Sequence, residues 1–259
     1  MIEREPAQRV LSPELLGIDE IVTSGEDKAV KYGLSEMGLL INRFMLAGQF
    51  TSRNDEEKQT VVKVRDSLNE VFLYVGQFYD YSLELLDEIE EGNDIIAIGK
   101  ISISNNQGYI SKRFYAEKIF KVTSAERKYA EISSAYFLHK RIINVSRIIS
   151  SGIRERDEIS KIMESERLAR GIEERLQRKG SIDVEKFRAI VESVVTKSNT
   201  GNRDIVLQLI KDFREISYEE LNERLSEKIG AEELEKIVEN LLSEGEITEI
   251  KSGTFKYIP

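Results

Sequence analysis

Between residues 60 and 77 the apolar side chains return at every second position, in two successive runs. Val62 and Val64 alternate with Lys63 and Arg65, and Val71, Leu73 and Val75 alternate with Phe72 and Tyr74. A strand sends neighbouring side chains to opposite faces, so the valines and Leu73 belong in a core while the other set faces out. The chain must therefore build a sheet here with one buried face and one open face. The open face carries two aromatic rings beside two cations, a pairing that suits a single-stranded nucleic acid, whose bases stack and whose phosphates are anionic.

At 259 residues, 40% hydrophobic and 33% charged, the chain has enough apolar surface for one or two folded domains. It has no cysteine, which excludes disulfides and thiolate metal sites. Met1 to Pro6 lacks an apolar signal core and no run approaches membrane-spanning length, so a cytoplasmic protein with no membrane partner is expected. The net charge of -9 is unevenly spread. Residues 1–120 carry 13 basic against 21 acidic side chains, 121–201 carry 17 against 12, and 202–259 carry 8 against 14. An acidic first region binds a phosphate chain only through a local stripe, so binding is expected to be weak or shared with a partner.

Residues 40–122 read as five strands. Ile41 to Thr51 places Phe44, Leu46 and Phe50 on one face, with Gly48 as an expected bulge. Thr60 to Asp66 and Glu70 to Gln77 follow. Asp80 to Ile89 changes period, with Leu83, Leu86 and Ile89 spaced for a short helix, before an isoleucine-rich strand at Asp94 to Ser104. Asn105-Asn106-Gln107-Gly108 reads as a turn into a fifth strand, Tyr109 to Val122. Five strands with a short helix between the third and fourth is the order of an oligonucleotide-binding (OB) barrel. Another kind of split barrel, or an open antiparallel sheet, would give the same string.

Residues 123–200 read as helices. Tyr129, Ile132, Tyr136, His139 and Ile143 recur at helical spacing, and Leu138, Ile142, Val145 and Ile149 form a second row. Two rows bury more than one barrel face needs, so this helix is expected to pack on another chain as well. Ser151 to Lys179 is rich in charge (Arg154, Arg156, Arg167, Arg170, Arg175, Arg178, Lys179) and reads as a solvated connector laced with salt bridges, its basic excess being a second way to hold phosphate. Ser198 to Asn202 reads as a linker.

In residues 203–259, Val206, Leu209, Ile210 and Phe213 mark one helix. Ser217 with Glu220 forms a capping box for a second, which Gly230 ends, and Leu234, Ile237, Val238, Leu241 and Leu242 mark a third. Two short strands around Lys251-Ser252-Gly253 close the chain as a hairpin. Three helices and a hairpin make a winged helix. Its third helix carries Glu232, Glu233, Glu235 and Glu239 against Lys236 alone, so protein docking is expected rather than DNA reading. The whole is thus an α+β chain with an OB barrel and N-terminal extension at 1–122, a helical middle at 123–200 and a winged helix at 203–259.

The opening Glu3-Arg4-Glu5-Pro6-Ala7-Gln8-Arg9-Val10-Leu11, the strand Ile41-Asn42-Arg43-Phe44-Met45-Leu46-Ala47-Gly48, the strand Phe72-Leu73-Tyr74-Val75-Gly76-Gln77-Phe78 and Ile98-Gly99-Lys100 together resemble the archaeal replication protein A-associated family. The C-terminal part is similar to the winged helix of the middle subunit of replication protein A. The resemblance implies an accessory subunit of a single-stranded DNA-binding complex in replication and repair. It also implies a larger replication protein A subunit joined through a helical bundle, and replication or repair proteins docked on the winged helix. The chain lacks tryptophan, so Phe72 and Tyr74 must supply the stacking.

The expected site joins Phe72 and Tyr74 with Arg43, Lys63, Arg65, Lys100, Lys112 and Arg113 as phosphate contacts. Packing of the two rings under segment 1–35, or against a partner subunit, is the competing expectation. The subunit interface is expected at Tyr129, Ile132, Tyr136, Leu138, Ile142, Val145 and Ile149. No enzyme activity, metal or cofactor is expected: His139 is the sole histidine and sits on an apolar row, which makes it a packing residue, and no phosphate-binding glycine loop is present. An RNA-binding barrel protein, a winged-helix transcription regulator and a pure scaffold that touches no nucleic acid are the alternatives.

Overall fold

The computed structural model describes residues 5–24, 30–56, 59–75, 85–107, 109–163, 165–226 and 229–258. They divide into two compact units, Met1–Val194 and Val195–Pro259. The first begins with β1 (Gln8–Arg9), α1 (Ser12–Leu16), β2 (Glu20–Ser24), β3 (Val30–Leu34) and β4 (Leu40–Ile41). The long strands follow: β5 (Arg43–Glu56), β6 (Gln59–Arg65), β7 (Glu70–Val75), β8 (Asp94–Asn106) and β9 (Tyr109–Lys121).

These five strands close on themselves in the order β5-β6-β7-β9-β8, with β8 returning to β5 from Arg43↔Lys100 to Gln49↔Asp94. The parallel pair is β7 with β9. Because β5 is paired on both sides, the open-sheet alternative does not hold, and the result is a closed, OB-like barrel. Phe44, Leu46, Phe50, Val64 and Leu73 fill it, with Phe44 and Phe114 packed edge to face at 5.9 Å. Gly48 is not the bulge. The register shifts between Phe50 and Ser52, and a Cβ at Gly48 would lie 2.6 Å from the Arg65 carbonyl oxygen, so the glycine serves a close approach of strands. Leu86 and Ile89 from the expected short helix enter the core. Leu83, Gly76 to Phe78 and Gly108 lie outside the described residues.

The N-terminal extension is bound tightly to this barrel. Asp66 accepts hydrogen bonds from Ser12 N and Oγ, both at 2.7 Å, and from Leu68 N and Asn69 N at 2.8 Å, so one buried carboxylate fixes both α1 and the β6–β7 turn. β2, β3 and β4 form a separate antiparallel sheet.

Next comes α2 (Ser124–Ser150), opened by a capping box in which Thr123 Oγ1 accepts from Glu126 N while the Glu126 carboxylate accepts from Thr123 N. Then α3 (Arg156–Met163), α4 (Glu166–Lys179) and α5 (Val184–Phe213) complete the helices of the middle. Leu138, Ile142 and Val145 are fully buried with Ile159, Ile172 and Phe187 in a core of this same chain. They are therefore not available to a partner, which corrects that part of the expected interface. The other row stays open: Tyr129 is 73% exposed, Tyr136 56% and Ile143 48%, with Ile132 also exposed, as is Ile149 at the end of the buried row. His139 is exposed as well, so it is not part of this chain's core. Buried Glu14 of α1 and Arg141 of α2 meet at 2.7 Å.

The arginines of α4 are docked rather than solvated. Arg175 pairs with Asp19 at 2.5 Å and Arg178 with Glu20 at 3.2 Å. Arg170 donates to the Thr23 carbonyl, Arg178 to that of Ile21, and Arg167 to that of Leu40. Gly171 lies against Gly38 so closely that a Cβ there would come within 2.0 Å of the Gly38 carbonyl oxygen.

Residues 198–202 are not a linker, since α5 is helical throughout that stretch. In the second unit the end of α5 is followed by β10 (Ile216–Ser217), α6 (Tyr218–Leu225), α7 (Ala231–Ser243), β11 (Ile247–Lys251) and β12 (Thr254–Tyr257). Ser217 caps α6 by accepting from Glu220 N at 3.2 Å. β12 lies between β10 and β11, with Gly253 at φ +71° in the turn. Val206, Ile210, Leu221, Leu234 and Leu241 fill the interior.

Candidate nucleic-acid interface

Strand alternation brings one row of outward side chains into register across the barrel. Tyr74 on β7 stands opposite Val61 on one side and Tyr115 on the other, Tyr115 is opposite Lys100, and Lys100 is opposite Arg43. The neighbouring row pairs Lys63 with Phe72. Phe72 is 50% exposed and Tyr74 is partly exposed, both on the outer wall. Neither ring therefore belongs to the barrel core.

Each ring has a cation against it. Lys63 Nζ lies 5.3 Å from the Phe72 centroid and the Arg113 guanidinium 5.6 Å from that of Tyr74. Such contacts stabilise exposed rings by about 0.5–1 kcal/mol, which favours a standing orientation over collapse onto the wall. Tyr74 and Tyr115 sit 5.6 Å apart at 41°, forming a tilted two-ring platform. A hydrogen bond to Tyr115 raises the Arg113 pKa above its ordinary value and keeps the cation beside the platform. Among the described residues neither Lys63 nor Arg113 forms an ion pair, although the Lys63 charge adds to the Arg65 hydrogen bond in holding the Glu70 pKa below its ordinary value.

The remaining expected cations are arranged differently. Arg43 is bound at 2.5 Å to the buried Glu117 carboxylate and donates at 2.6 Å to the Glu5 carbonyl, with only 15% of its side chain exposed. Lys112 donates to the carbonyls of Leu16 and Ile18, and burial pulls its pKa below the usual lysine value. Both hold the N-terminal extension on the barrel, and neither is free for phosphate. Arg65 is paired with Glu70 at 2.6 Å, although 58% of its side chain is open. Lys100 lies 3.6 Å from Glu117 and is half exposed at the edge of the platform.

The structure thus gathers Lys63, Phe72, Tyr74 and Arg113, keeps Lys100 alongside, and sets Arg43, Lys112 and largely Arg65 aside. Sequence reasoning missed Tyr115, which joins Tyr74 only through the parallel β7–β9 pairing. It also missed Tyr109, 75% exposed at the end of the β8–β9 hairpin, whose sole signal was its position beside the turn. Among the described residues no group of three histidines or carboxylates is placed to hold a metal, and no helix is long and apolar enough to cross a membrane.

No protein-family model and no curated protein matches the chain. Among solved structures it is similar to a Stn1–Ten1 complex of S. pombe, at 15% identity over 49% of this chain and 86% of that one, with a TM-score of 0.36. A replication protein A heterotrimer bound to single-stranded DNA matches at 9% identity over 53% of this chain and 98% of that one, TM-score 0.37. The mitochondrial single-stranded DNA-binding protein Rim1 of S. cerevisiae matches at 10% over 32% and 94%, TM-score 0.28.

Proposed function

We propose that this chain is a non-enzymatic accessory subunit of a replication protein A-like complex, acting in the cytoplasm in replication and repair. It binds single-stranded DNA on the outer barrel wall, joins a larger subunit through α2, and docks other proteins through its C-terminal unit. The observation that carries the DNA reading is the outward platform of Phe72 and Tyr74 with Lys63 and Arg113 against the rings, neither cation in an ion pair among the described residues. Bases stack on the rings and phosphates meet the cations, with little dependence on base identity because every base has a flat face.

The subunit role rests on the exposed row Tyr129, Ile132, Tyr136, His139 and Ile143, spaced three and four residues apart as in a helix–helix seam. The C-terminal unit has the element order of a winged helix. Its α7 exposes Glu232, Glu235 and Glu239, which repel phosphate, so a transcription-regulator role is disfavoured and protein docking favoured.

Titration of labelled oligo-dT against the native chain and Phe72→Ala/Tyr74→Ala, with and without the co-purified larger subunit, tests the site. Each lost stacking ring is expected to weaken binding by about 1–3 kcal/mol. Unchanged affinity would remove the site. An RNA oligomer of matched length at one salt concentration separates the RNA-binding alternative.

A further inference from the structure

A second concave surface lies away from the Phe72–Tyr74 platform. It is a groove of about 480 Å³ between the N-terminal segment, the flank of α2 and the α3–α4 junction. Its apolar wall is made by Leu39, Met163 and Leu168, with Phe137 standing 46% exposed at the mouth. Among the described residues its charged lining is one-signed: Arg9, Lys140 and Arg141 contribute to it and no carboxylate does.

That one-signed lining stands out in a chain of net charge -9. Arg141 is spoken for, since Glu14 holds it at 2.7 Å. Arg9 and Lys140 are not. Arg9 donates to Ser133 Oγ and stacks at 5.5 Å over Phe137, and Lys140 lies 5.7 Å from the Tyr136 ring. Among the described residues neither has a carboxylate partner, while Arg127, Arg156, Arg175 and Arg178 of the same unit all do. Two charges without a counter-ion at the rim of an apolar hollow specify a ligand with the converse pattern.

We infer that this groove takes an acidic peptide segment of a partner protein, with one large apolar side chain seated against Leu39, Met163 and Leu168 and flanking carboxylates on Arg9 and Lys140. The hollow is deep enough for a side chain. Its floor is aliphatic and thioether, without the run of flat rings that the barrel wall offers to bases. Opposite charge at the rim speeds encounter and rejects basic sequences, and the apolar seat fixes register.

The test uses the full chain and a fluorescein-labelled peptide of about twelve residues in which Asp and Glu alternate with Leu and Phe. Saturable binding by anisotropy is expected. It should weaken about tenfold or more when the acids become Asn and Gln, when Leu and Phe become Ala, or when the chain carries Arg9→Glu with Lys140→Glu. Lys140→Glu alone, on an exposed helical position, is expected to cost about threefold, and serves if the double variant folds poorly. Phe72→Ala/Tyr74→Ala must keep its peptide affinity, which separates this site from the DNA platform. Absence of saturable peptide binding, or equal binding by the charge-reversed chains, overturns the inference. Displacement of the peptide by oligo-dT, together with loss of oligo-dT binding in Arg9→Glu/Lys140→Glu, overturns it too and gives the groove to nucleic acid.

Discussion

The cations of α4 and those on the barrel wall are chemically alike and differ in what already holds them. Arg175, Arg178 and Lys179 each meet Asp19 or Glu20 of the N-terminal extension, Arg167 meets Glu5 and the Leu40 carbonyl, and Arg170 ends on the Thr23 carbonyl. Lys63 and Arg113 lie over aromatic faces, Arg113 with a hydrogen bond to Tyr115, and among the described residues neither forms an ion pair. A guanidinium that has a carboxylate neighbour adds rigidity and offers little field to an incoming phosphate. One that rests on a ring keeps its full charge toward solvent. A basic stretch and a binding surface are therefore separate properties, and local charge density ranks them in the wrong order here, since 121–201 is the basic region and the free pair lies in the acidic one.

Mutations can break this contrast. The largest effect is expected where commitment is deepest: Glu14→Ala or Arg141→Ala leaves one buried charge unpaired and should cost about 3–5 kcal/mol in urea unfolding. If either variant unfolds like the native chain, the helical layer is not fastened to α1 as described. Gly171→Ala tests the α4 contact sterically, because the added methyl meets the Gly38 carbonyl; a loss of about 1–3 kcal/mol is expected.

Function should move the opposite way. Lys63→Ala and Arg113→Ala should leave stability nearly unchanged and each lower the salt slope of oligo-dT binding by about 0.7, the value for one neutralised phosphate on a single strand. Arg175→Ala should do the reverse, lowering the melting temperature with no change in slope. Equal slopes across all three variants would erase the distinction.

The smallest effect is one of pH. Hydrogen bonding to Lys179, then to Arg178, holds the Glu20 carboxyl below the usual carboxylate range. Its contribution to stability is therefore present above the ordinary pKa of about 4.3 and is lost as pH falls through the depressed value. Melting curves from neutral pH into this acid window should show the native chain losing its advantage over Glu20→Gln there and not before.

Much of the barrel was legible because two-residue periodicity is local: the valines of β6 and β7 announce their face within a few residues. The outward placement of Phe72 and Tyr74 followed from the same period. What could not be read was long-range. Arg43 looks like a phosphate contact until Glu5 and Glu117, 38 and 74 residues away, are brought to it, and Lys112 until Leu16, 96 residues away, arrives. The linker was misjudged for another reason. Ser, Asn, Thr and Gly are poor helix formers, each costing about 0.5–1 kcal/mol against alanine, yet the stretch containing them is helical. On α2 the two apolar rows were both visible, but only packing could show that Leu138, Ile142 and Val145 enter this chain's core while Tyr129, Tyr136 and Ile143 stay exposed.

The arginine-to-carbonyl bonds of α4 have one more consequence. They fall on β2 and β4, the two outer strands of a small sheet whose borders would otherwise invite a stranger's strand to zip on. Guanidinium groups standing at both margins act as hems. A protein expected to gather several chains around itself is thereby kept from recruiting them indiscriminately through its own raw edges.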